Sequence, residues 1–170
     1  MKKLIYAIIA SAATLILAIS CENETGNSNH SGISGRLVSN SNCKSFKSGS
    51  IYTTADSLSC VDYSYNRFTK KLFIKHINAG FQCSADSLYC NVDISNDTII
   101  IQEFDTPGQN DCYCLYDLEI EINGVDNKKY QIKLSEPSSG NQEQINFGVD
   151  FSTQVHGTFC VTRIRYPWGK

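Results

Sequence analysis

Cysteine is the residue type through which this chain could do the most chemistry. The 170-residue sequence contains eight cysteines, and Cys21 stands apart from the others near the N-terminus. The other seven are Cys43, Cys60, Cys83, Cys90, Cys112, Cys114 and Cys160. In an exported protein such a set indicates a disulfide framework, and an odd number leaves one thiol over. The one close pair, Cys112-x-Cys114, lacks zinc-knuckle spacing, so we predict neither a metal site nor a cofactor.

Histidines and carboxylates offer little that indicates catalysis. The sequence has no nucleophile elbow, Walker loop, dinucleotide fingerprint or HExxH motif. His76 falls in an alternating stretch, where we expect a partly buried or surface side chain, and His156 precedes Gly157 in a predicted turn. A row of acids lies two residues apart on one strand face, which is typical of a solvated surface: Asp117, Glu119 and Glu121.

The N-terminus predicts export. Lys2 and Lys3 precede a 16-residue apolar run that ends at Ile19, which is shorter than the ~20 residues of a membrane-spanning helix. This is the pattern of a signal peptide over residues 1–20. The segment that ends in Ser20-Cys21 resembles a bacterial lipobox, in which the cysteine is diacylated and becomes the new N-terminus. Ala18 would also suit ordinary secretion, so both processing routes stay open.

Residues 21–42 are predicted to be a lipidated, flexible tether. They are rich in Asn, Ser and Gly, a composition that buries too little apolar surface to offset the entropy of ordering. Removing residues 1–20 takes away two lysines and no acid, which leaves 13 basic and 17 acidic residues and a net charge of −4. Because the chain has no basic cluster, we expect no nucleic-acid partner.

Residues 43–170 are predicted to form one all-β domain. Apolar residues alternate with polar ones in several short runs, and Asn96-Asp97 separates two of these runs as a hairpin turn would. The inward rows comprise Leu88, Cys90, Val92 and Ile94; Cys112, Cys114, Tyr116, Leu118, Ile120 and Ile122; Tyr130, Ile132 and Leu134; and Ile145, Phe147, Val149 and Phe151. The pattern indicates an antiparallel β-sandwich of about seven or eight short strands, stapled by disulfides.

This strand pattern restricts the disulfides. Cys112 and Cys114 share one face of a strand about 6.5–7 Å apart, so they should not bond to each other. The geometry favours Cys83 with Cys112 and Cys90 with Cys114, which leaves one bridge among Cys43, Cys60 and Cys160.

Two further sets of residues are candidate sites. Aromatic side chains near the C-terminus, Tyr166 and Trp168, could contact a sugar or a protein, or could simply cap the sandwich. Three tripeptides resemble the Asp-Ser/Thr-aliphatic motif that Bacteroidota glycosylate on the hydroxyl, with the hydroxyls on Ser57, Ser87 and Thr98.

The chain resembles small exported lipoproteins of the Bacteroidota through Cys90 and the segment Cys112-Tyr113-Cys114-Leu115-Tyr116-Asp117. The acidic start Glu22-Asn23-Glu24 is similar to their outer-membrane sorting signal. The resemblance implies a cell-envelope location, on the surface or the periplasmic face of the outer membrane, and no particular activity.

Taken together, these features predict a non-enzymatic, lipid-anchored binding or adhesion module whose ligand is an unknown protein or glycan. One alternative is an envelope hydrolase that uses one of His76, Glu103 or Glu121. Another is a structural subunit, or an inhibitor of a secreted protease.

Overall fold

A computed structural model describes residues 32–44, 57–83, 85, 87–106 and 112–164. Within these ranges the chain forms nine strands: β1 Ser34–Asn40, β2 Leu58–Asn66, β3 Lys71–Gln82, β4 Leu88–Ser95, β5 Thr98–Asp105, β6 Tyr113–Asn123, β7 Lys129–Ser135, β8 Ile145–Asp150 and β9 His156–Thr162. Nothing in the described part of the chain is a helix that could serve as a membrane span.

The strands form two sheets. Sheet A has the order β1-β6-β3-β2-β9 and sheet B has the order β4-β5-β7-β8. All neighbours are antiparallel except β5 and β7, which run parallel because the chain crosses to β6 in the other sheet between them. The predicted all-β sandwich is therefore confirmed, with nine strands among the described residues and one parallel pair that the alternation could not reveal.

The core lies between the two sheets and uses the predicted inward rows. Ile120 and Ile122 of β6, together with Ile132 of β7, are at most 1% exposed. Sheet B brings its row on β8 against the aromatic side chains of β2, and the Tyr65 and Phe151 rings stack at 4.6 Å between centroids. Burial of such side chains contributes about 1.5–3 kcal/mol each, and this holds the two layers together.

The predicted turn at Asn96-Asp97 is present. Both residues have positive φ, 46° and 60°, and Ser95 pairs with Thr98 across the hairpin. Asn and Asp adopt this backbone conformation at lower cost than other non-glycine residues, which is why the sequence signal was readable.

The predicted boundary between tether and domain is wrong. Residues 34–40, assigned to the tether, form the edge strand β1, which pairs with β6 and also packs on β4. A Cβ built on Gly35 would lie 2.3 Å from a methyl of Val92, so the two sheets approach closely there. The sequence pattern did not predict β1, because Leu37 is its one inward-facing aliphatic residue. A single such residue produces no alternation.

The two ends of the sandwich differ. The chain enters beside the turns at residues 67–70, 96–97 and 124–128, which we name the entry end. At the opposite end lie Cys43, Cys83, Cys112 and Cys114, and we name it the cysteine end. Ser34, the first residue of β1, thus lies at the entry end.

The position of β1 generates a prediction on truncated chains. A chain that begins at residue 43 should unfold at lower urea concentration than one that begins at residue 32, with a loss on the order of 2 kcal/mol, because β1 contributes edge hydrogen bonds and the partly buried Leu37. Equal unfolding midpoints would show that β1 does not belong to the cooperative domain.

Candidate functional site: a buried polar layer and an aromatic platform

A serine, a histidine and a glutamate lie in line inside the sandwich. The Oγ of Ser59 on β2 is 2.8 Å from Nε2 of His76 on β3. Nδ1 of His76 is 2.8 Å from Oε2 and 3.1 Å from Oε1 of Glu103 on β5. His76 therefore links sheet A to sheet B through the Glu103 carboxylate.

A second ion pair lies beside this row. A terminal guanidinium nitrogen of Arg163, just after β9, donates to Oε1 of Glu136, just after β7, at 2.6 Å. The other Glu136 oxygen accepts from the backbone N–H of Gly80 at 2.7 Å. Both carboxylate oxygens are thus satisfied, as a buried charge requires.

A bulge in β3 buries a third polar group. Asn78 adopts φ of 63° where the pairing with β6 shifts by one residue. Its side-chain oxygen accepts from Nζ of Lys44 at 2.7 Å, and its amide nitrogen donates to the Leu58 carbonyl at 2.8 Å. Lys44 also bonds Asp117 at 2.5 Å. We refer to these side chains collectively as the polar layer: Lys44, Ser59, His76, Asn78, Glu103, Glu136 and Arg163.

The electrostatics of the layer favour a protonated histidine. Burial by itself disfavours the His76 cation, but the Glu103 carboxylate and its hydrogen bond, together with the charge of Glu136, outweigh burial and raise the pKa of His76 above its ordinary 6.5. Burial raises the pKa of Glu136 as well, although His76 and Arg163 oppose that rise.

The Ser59–His76–Glu103 row has the order of a serine hydrolase triad but no access to a substrate. Ser59 and His76 are 0% exposed and Glu103 is 2% exposed. Four surface depressions of the described residues are lined without any of the three. The expectation of a partly buried or surface His76 is therefore wrong, since this histidine is completely buried and its ring nitrogens both have partners.

The disulfides partly follow the expected geometry. Cys83 bonds Cys112, the pair favoured by the strand pattern, and Cys60 bonds Cys160 across the neighbouring strands β2 and β9. Cys112 and Cys114 are not bonded to each other.

The expected bridge between Cys90 and Cys114 is wrong. Cys114 bonds Cys43, because the backbone of Lys44 pairs with Leu115 and brings Cys43 beside β6. Cys90 lies in the other sheet, opposite Glu103, and is the one free thiol among the described cysteines. Burial and the nearby Glu103 charge raise the pKa of Cys90 to about 11, so it stays a protonated thiol at neutral pH.

The outer face of sheet A carries an exposed ring among charged side chains. Phe73 is 43% exposed and Val38 is 45% exposed, and both line a depression of about 320 Å³. The polar side chains around them are Asp62, Ser64, Lys75 and Glu119. We name these six residues the aromatic platform. A ring at the centre with charges at the rim has the composition of a binding hot spot.

The row of acids on β6 lies on this same face and is held by local partners. Glu121 accepts from Lys71 at 3.1 Å, and this bond lowers its pKa. Glu119 accepts from Ser39 at 2.7 Å. Asp117 is paired with Lys44, so each of the three acids has a partner of its own. Their carboxylates do not converge on a common point.

The remaining predicted sites are spread over the chain. Ser57 and Ser87 are exposed near the cysteine end, whereas Thr98 is half-buried at the start of β5. His156 begins β9 and is exposed, so the turn expected there ends one residue earlier. Cys21, Tyr166 and Trp168 lie outside the described residues.

Most of the polar layer was missed from sequence, although a signal exists. Ser59 belongs to the same inward row as Val61 and Tyr63, and Glu103 to the same row as Ile99 and Ile101. A polar residue in an apolar row must be buried, and a buried charge needs a partner. Arg163 and Glu136 lie in loops, where no periodicity identifies them.

Comparison of the chain with protein-family models, with curated proteins and with solved structures found no match. The fold and the side-chain geometry are therefore the basis of the functional argument.

Replacement of His76 should change how stability depends on pH. Because the folded-state pKa of His76 is raised, its stabilisation is present below the ordinary pKa and is lost as pH rises through the folded value. In His76→Gln the free energy of unfolding should fall by roughly 3–5 kcal/mol at about pH 6. In the wild type this free energy declines as the pH rises, and the part of the decline that comes from His76 should be absent in the variant. Urea unfolding across this range measures both.

The exposed His156 provides the matched control. His156→Gln removes an exposed histidine and should leave the free energy of unfolding at about pH 6 nearly unchanged. A wild-type stability that rises with pH between about 6 and 9 would contradict the assigned sign.

Proposed function

We propose that this protein is a lipid-anchored cell-envelope module that binds a partner on the aromatic platform without catalysis. The observation that carries the proposal is the contrast between two sites. The triad-like row is buried in the core, whereas Phe73 is exposed on the outer face of sheet A. Binding needs an accessible surface, and catalysis needs an accessible nucleophile.

The anchor is supported by sequence and by connectivity. The lipobox-like segment ends at Cys21, and the first strand begins at Ser34, so about a dozen residues join the acylated cysteine to the entry end. A flexible chain of that length has a mean reach of roughly 20 Å. Three disulfides fit an oxidising compartment outside the cytoplasm.

This attachment leaves the platform accessible. The platform lies on the face of sheet A rather than at the entry end, since its residues occupy the middle of β1, β2, β3 and β6. With the entry end directed towards the bilayer, the face stands to the side, where a neighbouring envelope component can reach it.

The platform also has the energetic requirements of a binding surface. In the register of sheet A, Phe73 lies opposite Ser64 on one neighbouring strand and Glu121 on the other. Lys75 lies opposite Asp62 and Glu119. Covering the ring removes apolar area from water, and the charges of both signs at the rim can orient a ligand.

The hydrolase alternative lacks this kind of support. Its strongest candidates, His76 and Glu103, do come together, but they bridge two packed sheets instead of lining a cleft. Glu121 lies on the outer face, on the opposite side of sheet A.

The anchor can be tested by metabolic labelling with a palmitate analogue in a bacterial host that processes lipoproteins. The wild-type chain should incorporate label at Cys21 and lose residues 1–20, which intact mass would verify. Cys21→Ala should incorporate none. Labelling of both chains, or a wild-type mass without acyl groups, would contradict anchoring at Cys21.

The platform can be tested with a photo-crosslinking phenylalanine analogue placed at position 73 in the full-length protein in cells. We expect a light-dependent adduct, because the ring is 43% exposed at the centre of the platform. The matched control is the same analogue at Tyr89, which is 45% exposed but lies on sheet B, stacked on Phe104 at 5.1 Å.

Adducts that form at position 73 and not at position 89 support the platform, and their mass distinguishes a protein from a glycan ligand. Equal adducts at both positions, or none at position 73, would contradict a platform-specific partner.

A further inference from the structure

The cysteine end brings the sulfur atoms of three cysteines together, and a fourth cysteine is bonded to one of them. The Sγ atoms of Cys43, Cys83 and Cys114 all lie within 4.8 Å of one another, and the fourth sulfur, that of Cys112, is bonded to Cys83. Two disulfides joining four cysteines do not require this arrangement. The third bridge, Cys60–Cys160, joins β2 to β9 away from this cluster.

The backbone explains why the sulfurs converge. Cys112 and Cys114 flank the start of β6, which has a partner on each side. The N–H of Cys83, at the end of β3, donates to the Cys112 carbonyl at 3.0 Å. On the other side the N–H of Lys44 donates to the Leu115 carbonyl at 2.8 Å, which fixes Cys43. Three separate segments thus deliver the four side chains to one place.

We propose that these four cysteines, when reduced, form a tetrathiolate site for Zn²⁺. In a tetrahedral site with Zn–S bonds of about 2.3 Å, neighbouring sulfurs are about 3.8 Å apart. After reduction the two sulfurs of each former disulfide must move apart to about 3.8 Å, whereas the separations of up to 4.8 Å among Cys43, Cys83 and Cys114 need to shorten by about an ångström. Rotations about the side-chain torsions supply both changes.

The sequence conceals this site because its ligands come from three segments. Only Cys112-x-Cys114 is visible as a pair, and it lacks the spacing of a zinc knuckle. The fold adds the other two ligands, which lie about 30 and 70 residues before β6.

Access to the cluster is open. Cys43 is exposed, and Cys83 and Cys112 are half-buried, so a reductant and a cation can both reach the sulfurs. The adjacent Lys44 is not an isolated positive charge that would repel a cation, since its Nζ bonds the Asp117 carboxylate and the Asn78 oxygen.

The chemistry balances with a dithiol reductant. Each of the two disulfides accepts two electrons and two protons from one dithiol, which becomes a disulfide, so two dithiols yield four cysteine thiols. One Zn²⁺ then displaces four protons and binds four thiolates. The cysteine end is thereby closed either by two covalent bonds or by one cation. This inference does not depend on the proposed binding function.

Cobalt provides the spectroscopic test, because Co²⁺ bound to thiolates in a tetrahedral site gives charge-transfer and visible d–d absorption. Full-length protein is reduced with a phosphine, freed of reductant without air and titrated with Co²⁺ and then Zn²⁺. We expect the tetrahedral spectrum to saturate at one equivalent and to disappear when one equivalent of Zn²⁺ is added.

Two sets of variants locate the site. Cys83→Ser and Cys114→Ser should each weaken Co²⁺ binding by at least roughly 10–100-fold. Mutation of residues that only support a metal ligand already costs this much, and these variants remove a ligand itself. Cys90→Ser and the double variant Cys60→Ser with Cys160→Ser should retain the spectrum, because neither removes a sulfur of the cluster.

A tetrahedral spectrum that survives in Cys83→Ser but is lost in the Cys60/Cys160 double variant would overturn the assignment. The absence of any tetrahedral spectrum in the reduced wild type would overturn it too, whether or not the reduced chain stays folded. Thermal unfolding of the reduced protein is a second readout, since Zn²⁺ should raise the midpoint in the wild type and not in Cys114→Ser.

Discussion

Burial of charge between two sheets is the constraint on which this structure depends. His76 extends from sheet A and Glu103 from sheet B, and they meet at 2.8 Å where neither can reach water. A buried ion left without its partner costs several kcal/mol, so the two sheets must keep one relative placement for the pair to persist. An apolar interface alone tolerates sliding, whereas a directional bond across it fixes the register.

The second pair strengthens this constraint. Arg163 and Glu136 follow β9 and β7, which belong to different sheets, and the Gly80 N–H adds a bond from β3. The polar layer therefore fastens both sheets at the cysteine end, and aromatic stacking of Tyr65 on Phe151 fills the core towards the entry end. In the row of a serine, a histidine and an acid, each group satisfies the hydrogen bonding of the next, which stabilises the contact between the sheets.

The sequence predicted much of the fold and little of the site, for physical reasons. Alternation in β6, β7 and β8 revealed their inward faces because a strand with one polar side has a period of two. The Asn96-Asp97 turn was readable because few residues accept positive φ. The edge strand β1 buries little and so shows no pattern. The partners of Cys114 and His76 depend on which strands become neighbours across the sandwich, and that is a property of the whole chain.

The free thiol also shows that a cysteine's partner depends on which strands become neighbours in the fold. Parity of the cysteines predicted that one would be left over, but not which one. Cys90 has the right inward orientation for a bridge, yet the strand it occupies ends up against β5 in sheet B, away from Cys114 in sheet A. Strand identity was predictable here, and sheet membership was not.

The Cys60–Cys160 bridge also affects what happens when the chain is cut. It joins residues 100 positions apart and spans the segment from β2 to β9. A protease that cleaves any single peptide bond between these two cysteines produces two fragments that remain covalently attached. Under the proposed N-terminal lipid anchor, a nicked domain would keep both fragments attached to the membrane instead of being shed. Release would need a reductant as well as a protease, or a cut in the short segment that leads to the first strand.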